Sequence, residues 1–308
     1  MLQKIQICKI VKRISCGVTN LIYIKDNNGL FMMLQNARII MLVALLTSAA
    51  ASVILTVQPL ATLAQEDGDL CGEEIIGDLE LTSDMTCEGD GLRVEGSDLL
   101  IHLNGFTIRG PGSDSNTTGI LVEEASEVRI RGPGMVTGFG TGVAYVDASG
   151  GAMRDIYVRD NDIGVLLDAT TDTHVKQDHV SDNRIGVINR ESNNTEVENI
   201  IMGRNNEGIR LEKSSSVDLD FIILMDGGTG IYLDEQSLDN EVFYNVMFRN
   251  EGTDVTFANP GEGRLENSFG NNECIQSVPA EICTGRIEEE DASQTQTQPE
   301  AGNSTSPS

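Results

Sequence analysis

Tryptophan is absent from this 308-residue chain, and aromatic residues make up only 4% of it. A core centred on aromatic packing is therefore not what this composition builds. Lysine is nearly as scarce: beyond residue 64 only Lys176 and Lys213 remain, the other basic residues being arginine. Residues 1–64 hold six Lys/Arg and one acidic residue, so the remainder carries 15 basic against 47 acidic residues, a net charge of −32. Such a surface repels nucleic acid and anionic membranes. It also repels polyuronates unless cations bridge the two. No Leu-Ala-Gly-Cys stretch precedes Cys71, which argues against lipid attachment there.

Long apolar runs are missing too, with one exception. Residues 1–38 are basic, Ile39 to Leu60 is apolar, and "ATLAQED" follows. A charged start, an apolar middle and small residues at Thr62 and Ala64 describe a secretory signal over residues 1–64, cleaved after Ala64, with Met33 as an alternative start. An uncleaved anchor is the competing reading, since the run is long enough to span a bilayer; Pro59 and the Thr-Leu-Ala ending favour cleavage. The protein is thus expected to be secreted or cell-surface, with no membrane partner after cleavage. Four cysteines remain, and an even number outside the cell implies disulfides. Of the three pairings, Cys71–Cys87 and Cys274–Cys283 are chosen because each pair brackets one end of the chain. Glycosylation acceptors stand at Asn116, Asn193 and Asn303. Residues 287–308, with no apolar periodicity, read as a disordered acidic and Ser/Thr-rich tail, leaving 65–286 as the folded domain.

What the domain does contain is a repeat. "GVAYV", "GVLLD", "GVINR", "GIRLE" and "GIYLD" begin at Gly142, Gly164, Gly186, Gly208 and Gly230, each 22 residues after the last. "GILVE" at Gly119 precedes them, and "DVTF" at Asp254 follows. A leucine-rich repeat has this length, but the Leu-x-x-Leu-x-Leu framework and a helix-period half are both missing. Each unit instead holds short β-branched stretches separated by Gly, Asn, Asp and Ser, which is strand and turn chemistry. Three short strands and three turns per 22 residues make one rung of a parallel β-helix, with about eight rungs in all.

In such a coil like positions stack into columns about 4.8 Å apart, and inward columns must be apolar. Met153, Val175, Val197 and Leu219 form one inward column, and Val158, Val180, Met202 and Leu224 another. Asn161, Asn183 and Asn205, then Gly227, form a third, read as a tight corner because Asn and Gly tolerate left-handed backbone.

The stretch from Cys71 to "LLIHLNGFTIRGPG", with "VRIRGPGMVTGFGTGV" after it, resembles the entry to secreted right-handed parallel β-helix repeat proteins of the pectate-lyase-like superfamily, with NosD/CASH-type repeats. In that family a cysteine-bracketed first rung leads into Leu-Asp-Leu-Asn-Gly-His-Thr-Ile. Leu100 to Ile108 matches, with differences at Ile101, His102 and Phe106. The resemblance covers about residues 71–285 and implies an all-β, single-stranded right-handed solenoid. It does not choose among lyases, hydrolases, epimerases, copper-site maturation proteins and adhesins.

Candidate site residues cluster in "THVKQDHVSDN", residues 173–183. Lys176 lies between Arg154 in the previous rung and Glu198 in the next, with Asp220 beyond, an outward ladder of two positive and two negative charges. Arg154 beside Lys176 is a small anion-attracting spot. Asp178 takes a slot that is Ile156, Ile200 and Ile222 in neighbouring rungs. Its structural reading is a turn aspartate bonded to backbone N–H groups, which the resemblance supports, since related coils stack asparagines there. Its functional reading is a desolvated acid–base group beside His179 and Lys176. Tyr157, His179, Ile201 and Ile223 share an outward column, a partly apolar stripe for sugar rings or a partner. Asp160 and Asp182 stack with Arg204 and Asp226; a solvated corner eased by Arg204 is weighed against a Ca2+ site. His174 and His102 have no evident partner.

For an enzyme, elimination at a uronate needs a cation and an Arg or Lys base, so Lys176 or Arg154 with Asp160 and Asp182 is one candidate set, and Lys176, Asp178, His179 and Arg154 together form the catalytic candidates. The resemblance counts against both lyase and hydrolase. The Asn-Thr-Asp, Gly-His-Gly and Arg-Ile-Lys motifs of polygalacturonase-like enzymes are absent, as is the Asp-Pro-His-Asp of alginate epimerases. The preferred expectation is a non-enzymatic rod, requiring no cofactor, that binds a polysaccharide, a surface glycoprotein or another partner, or serves as an envelope element. A metal-delivering assembly factor ranks last, because soft ligands are scarce once the cysteines pair.

Overall fold

The computed structural model describes residues 22–26, 29–33, 70–258 and 267–285. Most of the signal segment 1–64, the tail 287–308 and Asn303 lie outside the described residues. Within the first segment, Ile22–Asp26 pairs antiparallel with Gly29–Met33; this is a unit by itself, distinct from the one that begins at Leu63.

From Leu70 onward the chain is a right-handed parallel β-helix. Each rung lays one strand on each of three stacked sheets. The rung Ile163–Asp168, Thr171–Lys176 and His179–Ser181 pairs with Ile185–Arg190, Asn193–Glu198 and Ile201–Gly203 in the next. Among the described residues the first sheet has ten strands, from Glu74–Ile75 to Ser277–Val278, so short rungs extend the coil at both ends. In two rungs one strand runs through the corner between the second and third sheets, at Arg129–Thr137 and Ala152–Arg159. The bonds Cys71–Cys87 and Cys274–Cys283 close the terminal rungs, with Cα separations of 5.5 and 5.2 Å.

Both apolar columns face inward: Met153, Val175, Val197 and Leu219, and Val158, Val180, Met202 and Leu224, are all buried. The repeating glycine is required by close approach. A Cβ on Gly164 would meet the Gly186 carbonyl oxygen at 2.5 Å and the Asn183 amide nitrogen at 3.0 Å, so an alanine there must displace backbone of the next rung.

The asparagine column differs from expectation. The left-handed residues are the ones just before it: Asp160, Asp182, Arg204 and Asp226, with φ between 55° and 58°. Asn161, Asn183 and Asn205 are buried and act through their side chains. Phe139 N–H donates to Asn161 Oδ1 (2.9 Å), Asn161 N–H to Asn183 Oδ1 (2.9 Å) and Asn183 N–H to Asn205 Oδ1 (3.0 Å). A buried turn has no strand partner for these N–H groups, and an orphaned one is expensive; the amide ladder supplies the acceptor. A shorter hydroxyl ladder works elsewhere, where Thr170 N–H donates to Ser192 Oγ at 2.9 Å and Ser192 N–H to Ser214 Oγ at 3.3 Å.

Candidate functional site

On the outer face of the third sheet, Tyr157, His179, Ile201 and Ile223 stand in register. The Tyr157 and His179 rings stack with centroids 4.6 Å apart and planes 10° from parallel. Tyr157 is 49% exposed and Ile201 38%. Parallel strands in register force this outcome, because side chains 22 residues apart can only project side by side.

The charge ladder on the second sheet also stands in register, Arg154 beside Lys176, then Glu198, then Asp220. Its cations are engaged. Lys176 Nζ bonds Glu196 and lies 3.0 Å from Glu198 Oε1, and Arg154 Nε lies 3.0 Å from Asp155 Oδ2. Burial pulls the Lys176 pKa down, but the hydrogen bonds to Glu196 and Glu198 outweigh it and hold it above the ordinary lysine value. Lys176 therefore stays protonated where a general base must not. His174, expected to lack a partner, has Nδ1 3.1 Å from Glu196 Oε2, and His102 Nε2 lies 3.0 Å from the Gly132 carbonyl oxygen. Both partners come from neighbouring rungs, invisible to a reading of local sequence.

Asp178 does not share this surface. It is 1% exposed, while Lys176 and Arg154 project outward from the second sheet and His179 from the third. Asp178 Oδ1 accepts the Ile156 N–H at 2.8 Å. Three rungs further along this column Asn245 does the same for Ile222 (2.9 Å), and Asn272 follows for Asn245 (3.1 Å). Asparagine adds a second bond, Asn245 Nδ2 donating to the Leu219 carbonyl at 2.8 Å. An ionised aspartate has no such donor, and Asp178 Oδ2 makes no hydrogen bond. Burial pushes its pKa well above the usual carboxylate range, with the Asp155 charge adding to it, against the lowering effect of the Ile156 N–H and Arg154.

Asp178 thus occupies an asparagine slot, and a pH test follows. A carboxyl whose folded pKa exceeds its unfolded value contributes stability below the unfolded pKa, and that contribution disappears as pH rises through the folded one. Asp178→Asn is therefore expected to stabilise the fold by about 1–3 kcal/mol at pH 7–8 and to leave it unchanged near pH 3.5. Denaturant midpoints at the two pH values check this; an equal shift at both would remove the titration from the explanation.

Asp160 and Asp182 face arginines. Arg204 grips Asp182 through two bonds of 2.6 and 2.7 Å, Arg159 Nε bonds Asp160 at 2.8 Å, and Arg249 grips Asp226 at 2.6 and 2.8 Å. The Arg204 hydrogen bond holds the Asp182 carboxyl below its ordinary range. A calcium ion here must displace guanidinium groups. Asn116 is exposed in a loop, and Asn193 is exposed on a strand with Nδ2 donating to Ser215 Oγ at 2.8 Å.

Two features escaped the sequence reading. Phe221 and Tyr244 sit in left-handed backbone, with φ of 56° and 57°, in the corner column that holds Asp155, Gln177 and Asn199. Their rings stack 5.2 Å apart, each about half exposed. Each bulky residue there costs about 1–2 kcal/mol, and the single aromatic stack they share offsets about 0.5–1.5 kcal/mol of the combined cost. Second, Asn189 lies in the first sheet's inward column between Leu167 and Leu211, fully buried, and neither amide atom has a hydrogen-bond partner.

Softer ligands are few and dispersed. All four cysteines described are in disulfides, Met153, Met202 and Met247 are core residues, and His179 is stacked on Tyr157. Among the described residues no three His, Cys, Asp or Glu side chains converge as metal ligands do.

No protein of curated function matches the sequence. The chain is similar to the enzymatically active domain of tailspike protein 2 from bacteriophage CBA120, at 16% identity and a TM-score of 0.44, over 66% of this chain and 38% of that one. It is similar to the tailspike of E. coli bacteriophage HK620, solved with a pentasaccharide, at 11% identity and a TM-score of 0.46, over 68% and 52%. It is also similar to a mannuronan C-5 epimerase module from Azotobacter vinelandii, at 15% identity and a TM-score of 0.36, over 67% and 77%. The chain thus spans about half or less of the two tailspikes, and such likenesses say nothing of activity. A family model described as periplasmic copper-binding protein, NosD, matches residues 71–280, nearly the whole of the coil. On that match, the chain belongs to the NosD family.

Proposed function

We propose that this protein is an exported, non-enzymatic β-helix that binds a glycan along the outer face of its third sheet. The observation that carries the reading is the continuous column Tyr157, His179, Ile201 and Ile223, two stacked rings followed by two aliphatic side chains. A half-exposed ring with a polar edge, as Tyr157 presents here, is the kind of surface a sugar ring lies against. Disulfide-closed ends and the periplasmic description of the family support export, to the cell surface or beyond it. The absence of a catalytic role is supported by the paired state of Lys176 and Arg154 and by the burial of Asp178.

The copper in the family's description does not fit the donor set of the described residues. Copper sites draw on imidazole, thiolate and thioether groups gathered at one point, and among the described residues those groups are in disulfides, in the core or on separate strands. No step is assigned to copper.

The test uses the exported protein with its disulfides intact, incubated with neutral and uronate polysaccharides with calcium or with chelator. Pull-down without chain cleavage is expected, weakened about tenfold or more in Tyr157→Ala. Calcium-dependent cleavage lost in Lys176→Ala would instead make the protein a lyase. Capture of a protein but of no glycan would move the stripe to protein recognition.

A further inference from the structure

On the first sheet a second surface has a different character. Arg190, Arg210, Glu212, Lys213, Tyr232 and Asp234 line a concavity of about 550 Å3, within the range of small-molecule sites. It spans three rungs: Arg190 lies beside Glu212, and Arg210 beside Tyr232. Beyond residue 64 acidic residues outnumber basic ones 47 to 15, yet three cations meet here. We propose that this concavity is a subsite for an uncharged, hydroxyl-rich saccharide unit, distinct from the stripe on the third sheet. It rests on the reading of the chain as a glycan-contacting rod.

The electrostatics select the ligand class. Every cation in the concavity is matched by a carboxylate. Arg190 is held by Asp168, Nε to Oδ1 at 2.9 Å with a second bond from Nη2. Arg210 is held by Glu207, Nε to Oε1 at 2.9 Å, and approaches Glu212 at 3.4 Å through Nη1. Lys213 Nζ bonds Glu191 at 2.9 Å, and its backbone N–H reaches Asp234 at 3.2 Å. The three positive charges therefore sit among five carboxylates, and a phosphate, sulfate or uronate gains nothing there. A neutral polyol meets the reverse situation. Guanidinium edges fixed by their acid partners present oriented donors, the carboxylates present acceptors, and neither has to be reorganised on binding.

Tyr232 supplies the apolar component. The Arg210 guanidinium carbon lies 5.8 Å from its ring centroid, which fixes the ring beside the polar groups. An aromatic face flanked by paired donors and acceptors suits a sugar ring, which carries C–H groups on one side and hydroxyls at its rim. These side chains are outward and partly exposed, so their replacement leaves the buried core intact.

The experiment is titration calorimetry of the intact disulfide-bonded protein with neutral hexose oligosaccharides, N-acetylhexosamine oligosaccharides and a polyuronate, using wild type, Tyr232→Ala, Arg190→Gln and Tyr157→Ala. The expected result is binding of a neutral oligosaccharide, weakened by about tenfold or more in Tyr232→Ala and in Arg190→Gln, with melting midpoints unchanged. Loss in Tyr157→Ala alone overturns this subsite and leaves the third-sheet stripe standing. Loss in Tyr232→Ala and Arg190→Gln but not in Tyr157→Ala supports the subsite and removes the stripe. Preference for the polyuronate overturns the ligand class. Absence of binding to every saccharide overturns both readings.

Discussion

Asn189→Leu raises the stability of the coil by about 2–4 kcal/mol. The position is fully buried in a column that reads Tyr145, Leu167, Asn189, Leu211 and Leu233 along the rod. Both amide atoms of Asn189 lack hydrogen-bond partners, and each buried polar atom left unpaired costs about 1–3 kcal/mol. Leucine removes both penalties and adds apolar burial worth about 1.5–3 kcal/mol, part of which is lost to imperfect packing in a site shaped for an amide. For a domain of this size each kcal/mol moves the melting midpoint by about 2–4 °C. Thermal and denaturant unfolding of the two proteins measure the effect. A lowered midpoint would mean that the amide is bonded in solution and that the column tolerates it for that reason.

Asn183→Ala acts in the opposite direction and is expected to remove about 3–5 kcal/mol. Asn183 Oδ1 accepts from Asn161 through the backbone N–H at 2.9 Å and the side-chain amide at 3.2 Å, while its own Nδ2 donates to the Val158 carbonyl at 3.2 Å. Alanine strands a donor and an acceptor that water does not reach, and leaves a small void beside Gly164. Because each rung contacts only its neighbours, the damage starts locally and spreads by loss of stacking. Hydrogen exchange resolves this: the N–H groups of Phe139, Asn161 and Asn183 lose protection before those near either disulfide. Uniform loss of protection along the rod would show that the coil unfolds as one unit.

The fold was legible because one number, 22, governs it. Once the glycines of Gly142 to Gly230 were aligned, the inward columns through Val175 and Val180 followed, and so did the outward pairing of Lys176 with Glu198. Asparagine is the residue whose role the sequence does not disclose. Its tolerance of left-handed backbone pointed to a corner, whereas Asp160, Asp182 and Arg204 take that backbone and the asparagines bond across rungs. Asn189 was within reach, since three residues after each repeat glycine the chain reads Tyr, Leu, Asn, Leu, Leu. The hydrophobic "GVINR" alternation concealed it. The Arg190–Tyr232 concavity was not legible, because its residues come from three rungs and no local motif joins them.

A coil of near-identical turns faces a problem of bookkeeping in its own assembly: turn five fits beside turn three almost as well as beside turn four. The corner column of Asp182, Arg204, Asp226 and Arg249 bears on this. From Asp182 onward each acid faces a base in the correct order, and Asp160, which precedes them beside Asp182, is held by Arg159. Skipping one turn sets Asp182 against Asp226, or Arg204 against Arg249, and like charges at such spacing repel. These exposed pairs contribute little to the stability of the finished rod. Their value lies in giving turns that are otherwise interchangeable an address, so that a growing stack rejects the wrong neighbour before the interior has closed over the mistake.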